Sequence, residues 1–340
     1  MRQRASRQLL SRIIKQYGVG KVISARFITI GVSDENYRVR TTRGVYFLKK
    51  HRPSTSARIE SIARLEKFFK DRSLPVICPL TTLGGGWHYT YGPHAYVLYP
   101  FVTGRLYKER KIPASAVKNM AQTLARLHLL TKNGYSGAYS DVSRYFMPAD
   151  PSSLLQDTQQ LLSNIASLKK KTKYDYLAEQ GLSLKKDLLK QYANQMNNFS
   201  FGRRQLGHGD YHPGNIFFDS RQRVSAVFDF DMAGPQPRLF DLMRAIMCTC
   251  FDNIYSRENF KKAKIFITQY YQLYPFTKGG FKLALEAFYF KEFDIWREKV
   301  HYRERDIRND KSYFLHLSGL RYLSTQRNKL LDELYQYTRQ

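Results

Sequence analysis

The octapeptide HGDYHPGN, residues 208–215, sets two histidines, an aspartate, an asparagine, a proline and two glycines side by side. These types are poor helix and strand formers, so the octapeptide is a loop. The residues that follow, IFFDSRQRVSAVFDFD at 216–231, read as two short apolar strands around a polar turn. Asp210 and Asn215 are five residues apart, and Asp229 lies fourteen further on, at the end of the second strand. A hairpin that starts at Phe217 and Phe218 brings Asn215 and Asp229 side by side. An amide oxygen and a carboxylate oxygen then face one small volume. Oxygen ligands of that kind, few in number, suit Mg²⁺, which keeps waters and shares its other positions with phosphates. Asp210, one turn away in the loop, is free to accept a proton.

The rest of the chain bounds what can surround this loop. At 340 residues it exceeds one ordinary core and suits two lobes. With 43% hydrophobic and 14% aromatic residues it has the material for sizeable cores, which excludes a disordered chain. Apolar runs fall far short of a membrane span, so a cytoplasmic protein is expected. Cys78, Cys248 and Cys250 lack the spacing of a metal site and read as small hydrophobes in a reducing compartment. The first 26 residues hold no acid. Leu9, Leu10, Ile13, Ile14 and Tyr17 fall on one helical face, so a packed first helix is expected there rather than a targeting segment.

Two strand-like runs, KVISARFITI (21–30) and NYRVRTT (36–42), are joined by GVSDEN (31–36) and turn at Arg43–Gly44 into VYFLKK (45–50). A helix follows over 57–70, then strands CPLTTL (78–83) and HAYVLYPFV (94–102) flanking GGGWHYTYGP (84–93). From about Ala114 the pattern is helical. This divides the chain into a β-rich lobe over 1–100 with one helix, and a larger, mainly helical lobe over 101–340. The linker lies near 98–105.

HGDYHPGNIFF and AVFDFD resemble the signature of the kinase-like small-molecule phosphotransferases, a superfamily that includes aminoglycoside phosphotransferases, choline kinases and type II homoserine kinases. IGVSDENYRVRTTRGVYFLKK resembles the nucleotide loop and its strands, AYVLYPFVTGR the interlobe linker, MAQTLARLH the first large-lobe helix and PRLFDLMRAI the segment beyond the metal aspartate. The resemblance implies an α+β, bilobal, protein-kinase-like fold. It also implies a phosphotransferase that uses Mg²⁺ and ATP or GTP to phosphorylate a hydroxyl of a small molecule. Asp210 then resembles the catalytic base, Asn215 and Asp229 the metal ligands, and Lys49 the strand lysine on the nucleotide phosphates, with Lys50 the weaker candidate. Glu60 is the helix acid that orients Lys49, with Glu66 the alternative. His208 and Asp241 support the loop. Asp231 either touches a second metal or meets solvent or a basic neighbour. His212 either approaches the acceptor or shapes the turn before Pro213. The phosphate loop departs from the pattern: it has one glycine and two acids, so Ser33 and nearby amides are expected to bind phosphate while Asp34 and Glu35 point outward.

Net charge is +28, from 56 Lys and Arg against 28 Asp and Glu. Such a surface favours anionic partners, and two further readings follow from other classes: a nucleic-acid or anionic-membrane binder, and a catalytically inactive kinase-like structural protein. The charge is dispersed, and no nucleic-acid motif stands in the chain. The four residues that carry kinase chemistry, Lys49, Asp210, Asn215 and Asp229, are all present. For the acceptor, a homoserine-like metabolite or a sugar ranks above a polycationic aminoglycoside. Glu292, Asp294, Trp296 and Tyr302, on a helix over 290–310, are candidates to line its pocket. Oligomeric state is not legible.

Overall fold

The computed structural model describes residues 5–28, 35–51, 56–108, 110–135, 137, 141–305 and 310–339. The chain forms two compact units. The first comprises Met1–Leu106, Tyr135–Ser140 and Asn215–Asp231, and the second Tyr107–Gly134, Asp141–Gly214 and Met232–Gln340.

The first unit opens with α1 (Arg7–Gln16), capped by Ser6, whose side chain accepts from the Leu9 N–H. Leu10, Ile13 and Ile14 are its buried stripe, packed with Tyr37, Val39, Leu48, Tyr96 and Leu98 of the sheet. That sheet is antiparallel. β1 (Val22–Ile28), β2 (Glu35–Thr41) and β3 (Gly44–His51) form a meander. Then come α2 (Ser56–Lys70), β4 (Tyr89–Tyr91) and β5 (His94–Pro100), and β5 pairs with both β3 and β4. The strand expected over 78–83 does not form. The segment runs extended without a continuous ladder, and only the Leu80 N–H reaches β5, at the Leu98 carbonyl (2.7 Å). The edge position goes instead to Tyr89–Tyr91, closed by a two-residue turn with Gly92 at φ +58°. Lys49 sits on the central strand, opposite Asn36 on one side and Val97 on the other, and is 6% exposed.

The second unit begins with α3 (Ala114–Leu130), followed by α4 (Ser143–Phe146), α5 (Pro151–Ala166), α6 (Lys173–Asn197) and the short β6 (Gln205–Gly207). α6 starts in a reciprocal cap, with Thr172 and Asp175 each bonding the other's backbone N–H. Thr172→Ala is expected to cost about 1 kcal/mol, read as a lower urea midpoint at unchanged slope.

After the loop the chain returns to the first unit for the hairpin of β7 (Ile216–Phe218) and β8 (Val224–Val227). Backbone bonds stitch it there: Arg105 and Phe218 exchange N–H groups and carbonyls at 2.9 and 3.0 Å, and the Ile77 N–H reaches the Val227 carbonyl at 3.1 Å. The second unit then resumes with β9 (Gly234–Gln236), paired to β6, and α7 (Arg238–Ile246). α7 runs into one π-helical turn, Met247–Phe251, a local widening of the helix of the sort that accompanies functional sites. α8 (Arg257–Leu273), α9 (Lys278–Lys291), α10 (Trp296–Glu304) and α11 (Asp310–Gln336) complete the unit. No helix among the described residues is long and apolar enough to cross a membrane.

Candidate active site

In the first unit the hairpin and the sheet gather a charged cluster. The Phe228 N–H donates to the Asn215 carbonyl (3.2 Å), so the residue before Asp229 is held beside Asn215 across the mouth of the hairpin. Asp229 itself takes φ +65°, a left-handed conformation that costs a non-glycine residue energy and reverses the chain directly after β8. Its carboxylate accepts from Lys49 Nζ at 2.9 Å. Asp231 lies beyond β8, in the 3₁₀ turn Phe230–Met232. The turn brings its carboxylate to the same lysine, at 2.8 Å, with His51 Nδ1 3.8 Å away and Arg58 donating to its backbone carbonyl. Burial works to raise the Asp231 pKa, but Lys49, His51 and Arg58 outweigh it and hold the group below its ordinary value. The basic neighbour is thus found.

The helix acid needs correction. Glu60 is engaged by the Trp87 N–H (3.3 Å) and by His88 Nδ1 (3.2 Å), on the side of the β4 strand rather than at Lys49. Glu66, the alternative, is 1% exposed and lies in the field of Lys49, with Tyr99 OH 3.5 Å from both of its oxygens. Burial, aided by Asp229 and Asp231, pushes Glu66 well above the usual carboxylate range against the pull of Lys49. Lys50 points away and binds Glu35 at 3.0 Å. Glu35 thus turns in to a partner instead of pointing outward. Ser33 and Asp34 lie outside the described residues.

In the second unit the loop is bolted from below. Asp241, fully buried on α7, accepts from the His208 N–H (2.8 Å) and the Gly209 N–H (3.0 Å) and meets His128 Nε2 at 3.1 Å. Burial would raise its pKa, and the contacts with His128 and the loop hold it below its ordinary value instead. His208 is also fully buried, and its Nδ1 accepts from the Asp210 N–H (3.2 Å). Gly209 is at φ +80°, and a Cβ there would strike the Met232 carbonyl, so only glycine fits.

Asp210 was expected to be free. It is held by Arg244 Nη2 at 2.5 Å, with His212 Nε2 at 3.5 Å. Burial acts to raise the Asp210 pKa, and Arg244 and His212 together drive it far below the carboxylate range. His212 also accepts the Gly214 N–H (3.2 Å), so it both shapes the turn and stands at Asp210. Arg244 was missed in the sequence. Its position three residues after Asp241 on the same helical face was the available signal.

The acceptor candidates separate as well. The helix expected over 290–310 is broken: α9 ends at Lys291, residues 292–295 turn, and α10 begins at Trp296. Asp294 accepts the Trp296 N–H (2.7 Å), Trp296 is 45% exposed, and Tyr302 donates to Asp175 (2.7 Å). Glu292 lies just past the end of α9, with His316 Nδ1 3.0 Å from its Oε2.

The chain is 23% identical over 246 residues to a homoserine kinase of Caulobacter vibrioides, covering 72% of this chain and 71% of that one. It is 25% identical over 278 residues to a homoserine kinase of Mesorhizobium japonicum, covering 81% and 79%. Among solved structures, a spectinomycin phosphotransferase in complex with ADP and spectinomycin superposes with a TM-score of 0.67 at 15% identity, over 98% of this chain and 99% of that one. An aminoglycoside phosphotransferase from Alicyclobacillus acidocaldarius gives 0.59 at 15% identity, over 100% and 98%. These establish the kinase-like fold. The Phosphotransferase enzyme family (APH) matches residues 24–272, close to three quarters of the chain, and the protein belongs to that family of small-molecule phosphotransferases.

Proposed function

We propose that the protein transfers the γ-phosphoryl group of ATP or GTP to a hydroxyl of a small metabolite, with Asp210 receiving the hydroxyl's proton. The observation that carries this reading is the pair of constellations just described. Lys49, Asp229 and Glu66 are gathered in the first unit, and Asp210 is fixed on a loop locked by Asp241 in the second. Only four residues of chain separate Asp210 from Asn215, so the proton acceptor and the metal-ligand candidate are tied covalently.

The donor set fits a hard cation. Asp229 offers a carboxylate that is 37% exposed, Asn215 an amide, and Asp231 a further carboxylate on the same lysine. All are oxygen donors, which suit Mg²⁺ shared with phosphate and suit zinc poorly. Asn215 and Asp229 would hold the ion, which when bound neutralises charge on the nucleotide phosphates. The rest falls to the chain itself. Lys49, now neutralised by two aspartates, turns its ammonium to phosphate oxygens. Glu66, buried in the field of Lys49, is placed to orient it. Asp210 orients the acceptor hydroxyl and takes its proton late, as a loose phosphoryl transition state requires little prior deprotonation. A strongly acidic Asp210 suits that role. For the acceptor, the homoserine kinase relatives support a homoserine-like amino alcohol above a sugar.

The test is a coupled nucleotide-release assay with a panel of alcohols and product mass spectrometry, run with ATP and with GTP and with and without Mg²⁺. Asp229→Ala is expected to lose more than about 100-fold in turnover and the response to added Mg²⁺. A variant that keeps wild-type Mg²⁺ dependence would remove Asp229 from the metal site.

A further inference from the structure

We infer that Ser56, His88 and Glu60 form a second reactive centre in the first unit, with Ser56 a nucleophile toward small activated carboxylic esters. The phosphotransfer reading uses none of the three.

The three side chains make one continuous chain of hydrogen bonds. His88 Nε2 lies 3.1 Å from Ser56 Oγ, and His88 Nδ1 lies 3.2 Å from Glu60 Oε1. A carboxylate oxygen only accepts, and Glu60 Oε1 also accepts the Trp87 N–H (3.3 Å), so His88 Nδ1 carries the proton and donates. In the neutral imidazole Nε2 is then the bare nitrogen, facing the hydroxyl whose proton it would take. Nucleophile, base and orienting acid stand in the relation that acyl transfer to a serine requires. Ser56 is exposed, so an ester reaches it, whereas the side chains of His88 and Glu60 are only 13% and 22% exposed.

Local structure fixes this geometry. Ser56 and Glu60 are four residues apart on α2 and so share a face. His88 comes from a tight turn in which the Thr82 N–H donates to the Gly86 carbonyl (2.7 Å) and the Gly85 N–H to the Thr82 carbonyl (2.9 Å), with Gly85 at φ +85°. The residue before His88 is clamped on both sides: the Trp87 N–H donates to Glu60, and its carbonyl accepts from Tyr17 OH (3.4 Å). Arg64 lies over the Trp87 ring, with Nη2 4.0 Å from Glu60 Oε2, and so steadies the acid through the oxygen that His88 does not use. Ser56 also opens α2, and the N–H groups of a first helical turn lack intrahelical partners, which makes them donors for an oxyanion.

In the reaction Ser56 Oγ bonds to the ester carbonyl carbon as its proton passes to His88 Nε2. The carbon–oxygen bond to the leaving group breaks, and the leaving oxygen takes that proton. Water then attacks the acyl-serine, giving its proton to His88, which returns it to Ser56 Oγ as the carboxylic acid departs. An exposed serine suits short acyl groups with good leaving groups.

Hydrolysis of p-nitrophenyl acetate tests this, followed over many turnovers per protein so that one-time acylation of lysines does not count. Ser56→Ala and His88→Gln are each expected to lose about 100-fold in rate, the scale of a positioned base, and Glu60→Gln to lose less. Ser56→Ala changes an exposed hydroxyl, and its circular-dichroism melting curve should overlay the wild type, so the loss is not one of folding. A fluorophosphonate, which a serine attacks at phosphorus with loss of fluoride, should label Ser56 roughly 10-fold faster in wild type than in His88→Gln, the adduct being located by peptide mass spectrometry. Turnover that survives Ser56→Ala, absence of turnover in wild type, or equal labelling of Ser56 in His88→Gln overturns the assignment.

Discussion

Asp210→Asn is expected to lower kcat by roughly 10³- to 10⁴-fold with the nucleotide KM unchanged, the upper range for loss of a positioned proton acceptor. The substitution keeps size and hydrogen-bonding shape but removes the charge that Arg244 and His212 hold in place. Arg244→Ala sharpens the test through pH. In the wild type Arg244 and His212 keep Asp210 ionised far below the usual carboxylate range. Its ionisation therefore imposes no acid limb at ordinary pH. Without the guanidinium, burial is opposed less strongly and the Asp210 pKa rises. Activity of Arg244→Ala is then expected to fall as pH is lowered through the risen value, a limb that wild type lacks. Nucleotide binding measured by calorimetry should be the same for all three proteins. A pH–rate profile of Arg244→Ala that overlays the wild type would show that Arg244 does not act through Asp210.

Asp241→Ala should unfold the second unit far more readily, by roughly 3–5 kcal/mol, since it strips a buried charged acceptor from three donors at once. The His208 and Gly209 N–H groups and His128 would be left without their partner in a site that water does not reach. Asp241 lies below its ordinary pKa in the folded state, so its contribution is complete above the unfolded value of about 4 and is lost as pH falls further. Urea unfolding at pH 7 should therefore show the full difference between wild type and variant. The gap should narrow in acid, as the wild type loses the advantage. A variant within about 0.5 kcal/mol of wild type at pH 7 would mean that the loop's backbone is satisfied by other means.

The loop could be read from the sequence because its chemistry is local. Asp210, Asn215 and the hairpin that carries Asp229 lie within 22 residues, and the period-two alternation that separates Lys49 from Lys50 is a property of any strand. Glu60 and Glu66 could not be told apart the same way. They are six residues apart on one helix, and the choice depends on how α2 rolls against the sheet, which is set by the burial of Ile59, Ile62, Leu65 and Phe69. Arg244 was passed over because an arginine within an apolar helix has many uses, and its partner lies 34 residues away. The acceptor segment was misread because Glu292 and Asp294 fall where α9 stops, and no proline marks the break in FKEFDIW.

The sequence by itself determined the α+β class and the identity of the chemical groups, because periodicity, turn residues and the loop's composition act over short range. The tertiary structure decided which groups meet. Lys49 reaches two aspartates 180 and 182 residues away because the hairpin is stitched to Arg105 and Ile77. Asp210 is held by an arginine, and Glu292 meets His316. Such pairings depend on packing between elements distant in the chain, where burial fixes the partners and the field of neighbouring charges fixes their protonation.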